Sequence, residues 1–246
     1  MVAAASAGLV AIPGAGAQGL TSADKKLIDK LLGPGVLGSS ASAEALADPA
    51  SLLPLRPTTW TFRIVSGPNL GNTETDTLQP VPSDKATPWH YDAGHDTDYL
   101  LRQAADGSIV SPAEKDLGEG VLTRYDPPRP MLLKGAEAGV PQTLTTSVNV
   151  YDLGDTSTVT HSGSLTLTYT YLGRYQLNVP AGTYPAAVVK MDYNGSIGPA
   201  SVEDTEYWFY AQGVGPVAMI EKEDVSAFLV YNKEDKYGKA LAAKPQ

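Results

Sequence analysis

Between Ser164 and Leu172 the chain alternates without a break, with Leu165, Leu167, Tyr169 and Tyr171 on one side and Ser164, Thr166, Thr168 and Thr170 on the other. A period of two belongs to an extended strand, whose successive side chains point to opposite faces. Such a ribbon must hide one face and can leave the other wet. The same period sets Trp60, Phe62 and Ile64 against Thr59, Thr61 and Arg63, and it returns in Leu144, Thr146, Val148 and Val150. Sheets with one polar face are antiparallel by preference. Turn chemistry between the runs agrees: Asp106-Gly107 and Asn194-Gly195 are two-residue hairpin signals, and Val179-Pro180-Ala181-Gly182 places a proline ahead of a glycine free to take positive φ.

Composition narrows the function classes. With 246 residues and 42% hydrophobic content the chain can close a large core, and single β domains reach this length. A formal charge of −9, from 27 acidic and 18 basic residues, repels phosphate backbones and anionic surfaces, so no nucleic-acid partner is expected. There is no cysteine, which removes disulfides, thiolate metal ligands and cysteine nucleophiles, and no lipidated cysteine is expected. No apolar run approaches the roughly 18 residues a membrane-spanning helix needs, so the chain is not expected to span a bilayer.

Residues 2–12 are apolar and uncharged, and Pro13 and the series Ala15-Gly16-Ala17 follow before Gln18. That is the apolar region and small-residue cleavage site of an export signal, with its basic leader missing. Residues 1–17 are therefore expected to be a signal peptide, Gln18 the mature terminus, and the bacterial periplasm or exterior the location. Ala23, Leu27, Ile28, Leu31 and Leu32 then recur at helical spacing, with Thr21 or Ser22 to cap the start and Gly33-Pro34 to stop the helix. This gives a helix and linker over 18–54, with a brief helical turn near Glu44 to Leu46. A β domain is expected over 55–232. Its first half is broken by Pro68, Pro80, Pro82, Pro88, Pro112 and the cluster Pro127-Pro128-Arg129-Pro130, which belong at edges or in loops because proline donates nothing to a ladder. Residues 233–246 read as a polar tail.

Val179-Pro180-Ala181-Gly182-Thr183-Tyr184, followed by Glu206-Tyr207-Trp208-Phe209-Tyr210-Ala211-Gln212-Gly213-Val214-Gly215-Pro216-Val217, resembles a broad group of uncharacterised bacterial envelope proteins across about a third of the chain. In that group the two motifs recur within an antiparallel sheet curved around a helix. The group is similar in architecture to periplasmic lipoprotein carriers, whose concave apolar face holds an acyl chain or is plugged by a helix. The resemblance implies a mainly β fold, a curved antiparallel half-barrel or open barrel, with the short N-terminal helix packed on it or across its mouth.

Catalytic machinery is not evident. Trp89 to Asp98 gathers His90, His95 and three carboxylates, but at neither the helical histidine spacing of a zinc site nor the spacing of a calcium loop, so no metal or cofactor is expected there. His161 precedes the most regular strand, yet there is no G-x-S-x-G elbow and no phosphate-cradling glycine loop. Glu203-Asp204 and Glu221-Lys222-Glu223-Asp224 read as solvated turns. Aromatics on the strands are the remaining signal, and Trp60, Phe62, Tyr169, Tyr171 and Trp208 are the candidate lining for a lipid or other apolar ligand on the concave face. The expected role is thus non-catalytic: an envelope protein that binds an apolar ligand or a partner segment. The alternatives are a metal-dependent hydrolase built on the His90–Asp98 loop and a ligand-free adhesion or scaffold module.

Overall fold

In the computed structural model, residues 10–11, 19–41, 44–227 and 231–246 are described. The expected signal peptide lies outside these residues except for Val10–Ala11, a two-residue strand β1. Helix α1 (Ser22–Leu32) follows, then β2 (Leu37–Ser40) and the single-turn α2 (Pro49–Leu52). The remaining strands are β3 (Thr58–Ser66), β4 (Thr73–Pro80), β5 (Trp89–Asp92), β6 (Thr97–Gln103), β7 (Ile109–Asp116), β8 (Val121–Leu132), β9 (Pro141–Asp152), β10 (Asp155–Val179), β11 (Gly182–Ile197), β12 (Ala200–Ala211), β13 (Gly215–Ala227) and β14 (Tyr231–Ala243).

All pairings among them are antiparallel. From β9 the ladder runs through β8, β7, β6, β5, β4 and β3 to β14, then through β13, β12 and β11 to β10, which pairs back onto β9. The ring is a closed barrel of twelve strands, where a half-barrel or open barrel was expected. Closure leaves no free edge in the ring itself. The pairing that the sequence concealed is β14 with β3, which sets Leu241 opposite Phe62 and Ala240 opposite Arg63. β14 takes up most of the supposed polar tail. Its polar side chains Tyr237 and Lys239 are buried because they face charged partners inside the barrel.

Local chemistry follows the sequence in places and departs from it in others. Thr21 caps α1 in a reciprocal box with Asp24, and Gly33, at φ 102°, ends it. The turn at 180–181 joins β10 to β11, and Asp106-Gly107 turns β6 into β7. Asn194-Gly195, by contrast, lies inside β11, opposite Thr166 and Leu165, and the chain reverses at Gly198-Pro199. The reason is steric: a Cβ on Gly195 would collide with the Ser164 carbonyl, so this glycine serves close strand approach. The prolines lie largely where pairing is irregular. Pro112 sits at a register break between β7 and β8, and Pro127 to Pro130 fall where β8 has stopped pairing with β9. The helical turn expected near Glu44 forms at Pro49–Leu52 instead, capped by Asp48.

Because strands alternate in direction, the connections fall at two ends. At one end, which we call the strap end, segment 44–57 crosses the barrel: Leu46 exchanges backbone hydrogen bonds with Ala136 and Gly135, and Ser51 O accepts from Gly213 N. Leu46, Leu52 and Leu53 are buried there. The opposite, hairpin end carries the turns at 93–96, 117–120, 153–154 and 198–199.

Ring contacts show which faces point inward. Tyr91 of β5 and Trp208 of β12 meet at 6.2 Å although several strands separate them around the ring, so both point into the lumen. Trp60, Tyr99 and Tyr210 join this layer, with Trp60 edge-on to Tyr91 at 5.7 Å and Tyr210 stacked on Trp208 at 5.9 Å. Tyr207, between Glu206 and Trp208, must point outward. There its hydroxyl meets Asp24 of α1 at 2.5 Å, which places the helix on the outer wall, over β13, β14 and β3.

Candidate functional site

Above the aromatic layer, toward the hairpin end, the lumen becomes charged. On β12 and β13 the register sets Glu206 directly opposite Glu221, and Asp204 opposite Glu223. Like charges in directly opposed positions repel. Glu114 and Asp116 of β7 line the same space, which forms two adjoining cavities of about 380 and 300 Å³ that share Glu114, Asp116, Glu221 and Glu223. Oxygens of Asp204, Glu206 and Glu221 lie within 4.8 Å of one another.

One base answers this group from within the wall. Arg129 of β8 reaches across the lumen and donates from Nη2 to both Glu206 oxygens at 2.7 and 2.6 Å, and from Nη1 to Glu114 Oε2 at 2.7 Å. Its guanidinium carbon lies 4.8 Å from the centre of the Tyr99 ring and 5.1 Å from that of Tyr193. Trp208 Nε1 adds a hydrogen bond of 2.7 Å to Glu206, and the Tyr125 hydroxyl donates to Glu114 at 3.3 Å. Burial opposes the charge on Arg129, but Glu206 foremost keeps it protonated. Asp204 and Glu221 have no such partner among the described residues: burial first, then repulsion from Glu221 and Glu206 on Asp204 and from Glu206 and Glu223 on Glu221, pushes both well above the usual carboxylate range. Asp204 Oδ1 is buried and accepts no hydrogen bond among the described residues.

A second charged cluster stands beside the first. Lys239, 1% exposed, donates to Glu74 Oε1 and to both Asp76 oxygens, each at 2.8 Å, and also to the Ala93 carbonyl. The Tyr91 hydroxyl donates to Asp76 at 2.8 Å and the Tyr237 hydroxyl to Glu74 at 2.7 Å. Burial outweighs the pull of Lys239 on Asp76, whose pKa is pushed up to about 6. Counting both clusters, Glu74, Asp76, Glu114, Asp116, Asp204, Glu206, Glu221 and Glu223 face Arg129 and Lys239. Carboxylates clearly outnumber bases.

The five residues expected to hold an apolar ligand are Trp60, Phe62, Tyr169, Tyr171 and Trp208, and each is no more than 1% exposed. The structure joins Trp60 and Trp208 through Tyr91, and Trp60 Nε1 donates to Val214 O at 2.7 Å. Phe62 lies 4.8 Å below Lys239 Nζ, and the Tyr169 hydroxyl accepts from Leu133 N. None of the five lines the two acidic cavities. In the His90–Asp98 segment the polar groups serve a hairpin: His90 Nε2 lies 2.7 Å from Asp98, Asp92 caps Gly94 N, and the His95 ring stacks on Tyr237. His95 and Asp96 line the smaller cavity, while His161 lines the larger one.

The two cavities together form an acidic vestibule. Sequence patterning assigns Asp204, Glu221 and Glu223 to solvated turns, whereas they lie within β12 and β13. The signal was there in polar form. Asp204 and Glu206, like Glu221 and Glu223, are two apart, which is the strand period written in carboxylates.

No known protein family and no curated protein matches the chain. Two solved structures resemble it, each over 78% of this chain and 97% of their own. One is a lipoprotein candidate from Parabacteroides distasonis, at 13% identity and a TM-score of 0.35. The other is an exported-protein candidate with a YmcC-like fold from Bacteroides fragilis, at 14% identity and a TM-score of 0.40.

Proposed function

We propose that this chain is a non-catalytic binding protein of the bacterial envelope, and that its ligand presents a compact cation, such as a guanidinium or ammonium group, to the acidic vestibule. The observation that carries this reading is the setting of Arg129. The wall already holds one guanidinium by Glu206, Glu114 and two tyrosine faces. In the same cavity Asp204 and Glu221 lack a base of their own among the described residues. Burial and repulsion raise the pKa of both carboxyls, and an entering cation relieves that penalty by compensating the charge each takes on as it gives up its proton. A space of about 380 Å³ admits a group of that size. The apolar ligand first expected on the concave face has less support, because the five aromatics meant to hold it are packed as core. The envelope location rests on the signal-like sequence of residues 1–17.

Calorimetric titration with arginine amide, with spermidine and with calcium, at physiological salt, tests the reading. Saturable binding of arginine amide or spermidine is expected, weakened at least tenfold in Asp204→Asn/Glu221→Gln. It should be unchanged in Glu137→Gln, which removes an exposed charge elsewhere. Calcium binding alone would replace the organic cation by a metal. Absence of all three, or equal binding by the Asp204/Glu221 variant, would refute the proposal.

A further inference from the structure

The strap end carries a second recess, chemically opposite to the vestibule. Leu55, Pro88, Trp89 and Pro112 line an open groove of about 630 Å³ together with Lys85 and Arg102. Trp60 and Trp208 are sealed in the core, whereas Trp89 keeps part of its surface in contact with solvent. Trp89 is held in place by its strand, opposite Pro80 on β4 and Leu101 on β6. Two prolines in the lining contribute no backbone N–H, so side-chain donation there falls to Lys85, Arg102 and Gln103, whose amide is directed to Gly107 O at 3.4 Å.

Those two cations have no acidic partner among the described residues. The neighbouring carboxylate, Asp84, is turned to the backbone of Ala86 and Thr87 and to the Thr87 hydroxyl. On a chain of net charge −9, an apolar floor with two unpaired bases is a local reversal of sign. Charge complementarity selects the head of a ligand here, and the tryptophan and leucine select its body.

We infer that this groove binds a small amphipathic carboxylate, with the apolar body against Trp89 and Leu55 and the anionic head between Lys85 and Arg102. The site is separate from the vestibule and does not depend on the cationic ligand proposed for it.

The test uses the whole chain and the intrinsic fluorescence of Trp89. 4-Phenylbutyrate is titrated beside its neutral counterpart 4-phenylbutanol and beside acetate, which keeps the head and lacks the body. A saturable fluorescence change is expected with 4-phenylbutyrate, at least tenfold weaker binding with 4-phenylbutanol, and none with acetate in the same range. Lys85→Gln/Arg102→Gln should weaken 4-phenylbutyrate at least tenfold. Lys85 is exposed and Arg102 half-buried, and an unchanged circular dichroism spectrum verifies folding. Trp89→Phe should abolish the optical signal while calorimetry still records binding. Asp204→Asn/Glu221→Gln should leave the response intact, which separates failure of this site from failure of the vestibule. No saturable response by either method, equal affinity for the alcohol, or undiminished binding by the Lys85/Arg102 variant would overturn the inference.

Discussion

Replacing Arg129 by methionine removes the guanidinium but keeps an unbranched apolar stem in the lumen. Three hydrogen bonds disappear, two to Glu206 and one to Glu114. Hydrogen bonds to charged groups contribute roughly 1.5–3 kcal/mol each, a gross loss of about 4.5–9 kcal/mol. The variant also escapes the desolvation of a buried guanidinium, worth several kcal/mol, so the gross figure is too large. What remains is Glu206, 2% exposed and without its base, and stripping one member from a buried pair costs about 3–5 kcal/mol. We expect Arg129→Met to lose that amount at pH 8. Adding Glu206→Gln, which keeps an acceptor for Trp208 Nε1, should recover most of the loss at pH 8. Urea unfolding at pH 8, followed by near-UV circular dichroism, measures all three chains. A deficit below about 1 kcal/mol at pH 8, or a double variant no better than the single, would refute the account of the lumen.

The pH dependence of the unmodified protein follows from its raised carboxyls. Asp76, at about 6 in the fold, contributes stability below its ordinary value that is lost as the pH rises through about 6, and Asp204 and Glu221, also raised, act in the same direction. The melting temperature should therefore fall from pH 5 to pH 8, and Asp204→Asn/Glu221→Gln should flatten the fall; a melting temperature that rises over this range contradicts the assignment. Asp24 runs the other way, since hydrogen bonds from Thr21 and Tyr207 overcome burial and lower its pKa. Tyr207→Phe should cost about 1–2 kcal/mol and raise hydrogen exchange in α1 ahead of the barrel strands. Gly215, at φ 97°, would place a Cβ 2.6 Å from the Trp60 ring, so Gly215→Ala should cost roughly 2 kcal/mol or more in chemical denaturation.

How much of this was legible depends on which side chains carried the period. Where Leu165 to Tyr171 alternated with threonine, apolar residues face the lumen, and the strand could be placed from sequence. α1 was legible for a similar reason: Thr21 and Gly33 are local capping signals, independent of the rest of the fold. β14 was not. Lys239 and Tyr237 look solvated until Glu74 and Asp76, more than 160 positions earlier, are known to face them. No short window contains that pairing. Asn194-Gly195 failed for a related reason: its glycine answers a neighbouring strand, Ser164 and Leu165, and no turn is formed there. The vestibule combined both difficulties, because hydropathy assigns carboxylates to water and only closure of the ring puts Asp204 and Glu221 inside.

Closure also explains why the lumen is apolar toward one end and charged toward the other. The strap over 44–57 and the ring layer of Trp60, Tyr91, Tyr99, Trp208 and Tyr210 exclude water from the strap side, where an unpaired charge would be costly. The charges begin directly above that layer, and its polar atoms anchor them: Trp208 Nε1 bonds Glu206 and the Tyr91 hydroxyl bonds Asp76. The aromatic layer is thus both the floor of the vestibule and part of its first set of hydrogen-bond donors. Disturbing the floor should therefore change the chemistry above it. Tyr91→Phe, which alters no charge, removes a donor to Asp76 whose effect is to lower that carboxyl's pKa. It is expected to raise the pKa of Asp76 further and to shift the acid-stabilised window to higher pH. Carboxyl titration followed by nuclear magnetic resonance would read this directly, and an unmoved Asp76 would show that the floor and the charged layer are independent.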